Sequence, residues 1–70
     1  MSIVATEIES VHGSDHRMIF FRCRDHLNVW HSYGPVITTD ANFDAEAFKP
    51  TVAVKVAERL AEAEANQVIG

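Results

Sequence analysis

The pattern of this chain changes once. Up to residue 38 its apolar residues alternate with a period near two, and after residue 43 they recur with a helical period. Such an order predicts strands first and one helix last: an α+β fold in which a small antiparallel three-stranded meander is packed by one long C-terminal helix. Seventy residues suffice for a single domain, 1–70, and for no second one. A core of this size supplies only about 3–5 kcal/mol, so domains this small commonly add disulfides, a metal or a partner chain. The lone cysteine, Cys23, excludes an internal disulfide, which leaves a metal or association.

The first strand is expected over Ile3–Val11, with Val4, Thr6 and Ile8 on one side and Ala5, Glu7 and Glu9 on the other. His12 to His16, HGSDH, carries turn chemistry. The second strand, Arg17–Arg24, sends Ile19, Phe21 and Cys23 to one side and Met18, Phe20, Arg22 and Arg24 to the other. Asp25 to Asn28, DHLN, forms a hairpin loop into a third strand that begins with Val29–Tyr33. Gly34-Pro35 is expected to bend or interrupt that strand before Val36–Thr38 resume it. Asp40, Asn42 and Asp44 are the candidate N-caps of the helix, whose main body is expected from about Pro50 to Val68, unless a short turn at Asp44–Lys49 leads into it through a kink.

The helix is too apolar for the task that the meander sets it. At about 100° per residue, Val52, Ala53, Val54, Val56, Ala57, Leu60, Ala61, Ala63, Ala65 and Val68 fill one arc of about 220°, whereas a stripe a little over about 100° covers a small sheet. Val52, Val56 and Leu60, preceded by Phe48, are the bulky residues suited to a core. Val54, Ala57, Ala61, Ala65 and Val68 make a surface of small residues that lets another backbone come close. A plainer reading holds that alanine is simply a good helix former and that this face meets water.

The sheet points the same way. With Ile19, Phe21 and Cys23 turned to the helix, Met18, Phe20 and Arg22 share the outer face with Arg24 and with Trp30 or Val29, a composition typical of protein contacts unless the segment 39–49 folds over it. The expected interface is therefore Val54, Ala57, Ala61, Ala65, Val68, Met18, Phe20 and Arg22, serving protein partners in a homo-oligomer or a larger assembly.

Little else in the chain suggests chemistry. The four histidines and Cys23 are spaced His12-x3-His16 and Cys23-x2-His26-x4-His31, the one conceivable zinc set, but the two turns that carry them fall at opposite ends of a hairpin. An intracellular regulatory or zinc-binding module using these residues is the alternative function. A Cys23/His31 nucleophilic pair needs an exposed, electropositive thiolate, and alternation sends Arg22 and Arg24 to the face opposite Cys23. Three glycines form no phosphate loop, and Glu7 and Glu9 read as a solvated like-charged pair. No enzyme activity, cofactor, metal or small-molecule substrate is expected. Net charge is −4, with six acidic and three basic residues in 39–70 and four and three in 1–38, which speaks against nucleic acid even though Arg17, Arg22, Arg24, Phe20 and Trp30 resemble a stacking platform. The opening MSIVATEIES has neither a basic n-region nor a long apolar run, so a soluble chain made in the cytoplasm is expected, with no membrane contact.

The order of these parts, a turn-linked strand pair, then HSYGPVITTDANFDAEAF, then VAERLAEAEANQVI, resembles small uncharacterised virion-associated proteins from the tail and baseplate region of tailed bacteriophages. The residues that carry the resemblance are Tyr33-Gly34-Pro35-Val36 and the Ala-Glu-rich tail. It implies a structural virion component or assembly factor, made in the host cytoplasm and located in the virion, and it implies no catalytic residues.

Overall fold

Three strands and one helix follow in order: β1 Ile3–His12, β2 Arg17–Asp25, β3 Trp30–Thr38 and α1 Ala45–Ile69. They come from a computed structural model that describes residues 2–69, with side-chain surroundings for 2–65. The sheet is antiparallel in the order β1-β2-β3, so β2 is central and the other two are edges. One α-helix lies across one face, giving the α+β meander-and-helix fold that the periodicity predicts.

The core forms where the bulky stripe of α1 meets the inner side of β2. Ile19, Phe21, Cys23, Val52 and Val56 are buried, and Ile3, Ile8, Tyr33, Val36, Phe43, Phe48 and Leu60 close around them. Phe21 is the hub of an aromatic cluster, with ring centroids 6.3 Å from Tyr33 and 5.8 Å from Phe48. Such tilted and edge-on pairs add about 0.5–1.5 kcal/mol each beyond the area they bury.

Both edge strands carry a bulge, and each changes which side chains face inward. In β1 the register steps from Ile3↔Asp25 to Ala5↔Arg24, leaving Val4 as the extra residue. Simple alternation places Val4 beside Thr6 and Ile8; instead Ile3 turns inward at that end and Val4 is exposed. In β3 the register steps from Ile19↔Val36 to Phe21↔Tyr33, so Gly34 and Pro35 together face Phe20. Of the bend or interruption expected at Gly34-Pro35, the interruption does not occur: the strand runs on through the bulge, and Tyr33 and Val36 both reach the core. The Gly34-Pro35 peptide is cis and Gly34 has φ +108. A Cβ at Gly34 would lie 3.0 Å from the Ile19 carbonyl and from the Val36 nitrogen, so the bulge needs glycine both for its backbone angle and for room.

The helix begins earlier than Pro50 suggests. Asp44 is the N-cap, its Oδ1 accepting from the Ala47 amide at 3.2 Å, and the residue before it, Phe43, packs on Phe48 with centroids 5.7 Å apart. A hydrophobic staple thus brackets the first turn. Asp40 is spent differently, accepting from the Asn42 amide at 2.9 Å in the turn before the helix. Pro50 lies inside a continuous α1, one turn past its start, where it withdraws the bond that the Glu46 carbonyl would accept. Tertiary anchoring by Phe48, Val52 and Val56 on either side of Pro50 outweighs that loss.

Candidate protein-binding surfaces

Strand alternation, corrected for the two bulges, makes the outer face of the sheet from Ala5, Glu7, Glu9 and Val11 of β1, Met18, Phe20, Arg22 and Arg24 of β2, and Trp30, Ser32 and Ile37 of β3. The pairings set these in rows. Val11 opposes Met18, which opposes Ile37, an apolar row across one end of the sheet. Glu9 opposes Phe20, and Glu7, Arg22 and Ser32 form the next row. Phe20 is 37 % exposed, Trp30 41 % and Ile37 63 %. The connection after β3 does not cover them, because Phe43 is drawn to the core side by Phe48 and by Arg17, whose Nη2 donates to the Phe43 carbonyl and whose guanidinium lies 5.8 Å from the Phe43 ring centre.

At the other end of this face two arginines bracket Trp30. The guanidinium carbon of Arg22 is 4.7 Å from the Trp30 ring centre and that of Arg24 is 5.9 Å. Arg22 Nη2 also donates to Glu7 Oε1 at 2.6 Å, and Arg24 Nη1 donates to Asn28 Oδ1 at 3.1 Å. Exposed ion pairs contribute about 0–1 kcal/mol, so these contacts do little for stability. They do hold an aromatic ring and two cations together on the exposed face. Glu7 therefore leaves its expected like-charged pair with Glu9 and serves Arg22, while Glu9 has no ion-pair partner among the described residues.

The helix contributes less uniformly than its apolar arc suggests. Val54 is 57 % exposed, and Ala61 and Ala65 are exposed, as a contact face requires, whereas Ala57 is half-buried beside the sheet. The Val68 side chain lies outside the described residues. Every side chain from Ala61 to Ala65 is exposed. At about 1.5 Å per residue α1 runs about 37 Å, against about 33 Å for β1, the longest strand, so its C-terminal portion outreaches the sheet.

The inner face holds Asp25, the one buried carboxylate among the described residues, which strand periodicity assigns to a loop. It closes β2 instead, 3 % exposed, with Oδ1 accepting from the amides of Leu27 at 2.8 Å and Val29 at 3.0 Å and Oδ2 accepting from His31 Nε2 at 2.8 Å. The hydrogen bond from His31 foremost, and that from the Val29 amide next, hold its pKa below the usual 3.8 against the opposing effect of burial. Asn28 sits at φ 66, a value that asparagine tolerates, and completes the turn that Asp25 organises. The sequence signal was available: an aspartate that begins a tight turn commonly bonds the amides ahead of it.

His31 is turned to Asp25, while Cys23 is fully buried with Sγ 3.6 Å from Thr6 Oγ1. His12 and His16 flank the β1–β2 turn, and Cys23 and His26 lie towards the other end of the sheet. Among the described residues no three His, Cys, Asp or Glu side chains gather as metal ligands, and no helix is long and apolar enough to cross a membrane. Comparison with known proteins finds no matching family model, curated protein or solved structure.

Proposed function

We propose that this chain is a non-enzymatic structural or adaptor protein that works through protein–protein contacts. The observation that supports it is the outer face of the sheet, where Phe20, Trp30 and Ile37 stand exposed in one layer with Met18, Arg22 and Arg24, uncovered by any other of the described residues. Aromatic residues, methionine and arginine are the side chains enriched in contact surfaces, and a binding partner would bury them. The exposed helix residues Val54, Ala61 and Ala65 add a second patch on the opposite side of the molecule. The setting proposed is the one implied by the phage resemblance, a small component of the tail or baseplate of a virion.

Mass spectrometry of purified particles, with cross-linking, tests this reading. The expected result is the wild-type chain within the particle, cross-linked through residues of the sheet's outer face, and its loss from particles when Phe20→Asp and Ile37→Asp are combined in a chain whose circular dichroism is unchanged. A wild-type chain absent from particles, and monomeric by light scattering at every concentration, would overturn it.

A further inference from the structure

We infer that the free edge of β1 is a docking slot for an extended segment of a partner protein, one that alternates apolar residues with lysine or arginine and adds to the sheet as a fourth strand. This inference rests on the protein-binding reading above and names the partner's chemistry.

The two edges of the sheet are not equivalent. The β3 edge is obstructed by Pro35 and its bulge, and Arg59 Nη2 donates to the Ser32 carbonyl at 3.0 Å, occupying a backbone acceptor there. The β1 edge has no proline, and among the described residues no side chain hydrogen-bonds its backbone. A ladder of backbone donors and acceptors is therefore open beyond the Val4 bulge, from Ala5 to His12.

The helix supplies a roof over that edge. Taken from Val56 at the core, about 100° per residue places Arg59 about 60° to one side and Ala53, Ala57 and Ala61 at about 60°, 100° and 140° to the other. Arg59 reaches β3, so the alanine flank lies on the β1 side. Ala53 and Ala57 are half-buried and Val54 beyond them is exposed. The part of the apolar arc that three strands cannot cover thus overhangs the position of a fourth. Inward side chains of an added strand, beside Thr6 and Ile8, would pack beneath Ala53 and Ala57.

Charge selects the occupant. On the outer side the added strand would lie beside Glu9, exposed and without an ion-pair partner among the described residues, and beside Glu7, which is exposed and shared with Arg22, so that the acidic excess at Glu9 favours a cation opposite it. The same pair disfavours a second copy of this chain. Paired residues must share a face, and antiparallel self-pairing centred on Glu7, Ile8 or Glu9 sets Glu7 against itself, Glu7 against Glu9, or Glu9 against itself. Centring on Thr6 runs the ladder into the Val4 bulge, and centring on Ser10 leaves a short one.

The test uses three capped synthetic peptides as long as β1: alternating Val-Lys, alternating Val-Glu, and the Val-Lys peptide with proline at two central positions. Titration is followed by amide hydrogen exchange. Expected are binding of Val-Lys about tenfold tighter than Val-Glu, slowed exchange confined to β1, loss of binding with the proline peptide, and a preference reversed towards Val-Glu in Glu9→Lys. Equal affinity for the two alternating peptides, protection elsewhere, or a wild-type dimer paired through β1 would overturn the slot. Assembly through Phe20 and Ile37 would survive that failure, so the two readings fall separately.

Discussion

Asp25 and His31 meet on the inner face at the second hairpin, Nε2 to Oδ2 2.8 Å, with the carboxylate almost wholly shielded from water. One side chain ties the end of β2 to the start of β3 and satisfies two turn amides at once. Because its pKa is lowered in the folded chain, Asp25 binds a proton more readily when unfolded. Its contribution to stability is therefore fully present above the unfolded value near 3.8 and is lost as pH falls through the lower folded value. Melting temperature followed by circular dichroism is expected to drop over that acid range in the wild type. Asp25→Asn should be less stable at neutral pH and should show a shallower acid decline. Parallel curves for the two proteins would show that the pair does not couple folding to pH.

Gly34 carries the β3 bulge. Gly34→Ala forces a side chain onto φ +108 and against two backbone atoms at 3.0 Å. A cost of about 1–3 kcal/mol is expected in urea unfolding, with the spectrum of the folded state retained. Unchanged stability would mean that the strand can re-register without its bulge, which would swing Val36 out of the core.

Two valines two residues apart on α1 should behave oppositely. Val56→Ala removes fully buried methyl groups from the seam with β2 and should cost about 2 kcal/mol, combining lost burial with the cavity left behind. Val54→Ala, on the exposed side, should fall within about 0.5 kcal/mol of the wild type. Urea titration of the isolated chain reads both. A large cost at Val54 in the monomer would mean that the helix is seated differently on the sheet.

The helix start should report on its cap. Asp44→Ala withdraws the acceptor from the Ala47 amide and is expected to lower stability by about 1 kcal/mol, whereas Asn42→Ala, outside the cap, should do little. Equal effects would place the effective N-terminus of the helix elsewhere, as the position of Pro50 first suggested.

Binary pattern alone determined most of this architecture. Alternation over Arg17–Arg24 assigns Ile19, Phe21 and Cys23 to the core, and helical spacing does the same for Val52, Val56 and Leu60, because residues that share a face must be buried together. The outer-face positions of Met18, Phe20, Arg22 and Arg24 follow from the same rule, and so does the surplus apolar arc of α1. What tertiary structure alone decided lies where one residue shifts the count. The bulges at Val4 and Gly34-Pro35 each add a residue to an edge strand, and since side chains alternate with period two, each reverses the faces on one side of it. Local propensity placed the helix start at Pro50, but the Phe43–Phe48 contact and the Asp44 cap carry it back to Ala45, since burial across a turn outweighs one missing hydrogen bond. The partners of Asp25, and the flank of α1 that overhangs an open edge, depend on how strands and helix are set side by side, a relation between distant residues that no local pattern encodes.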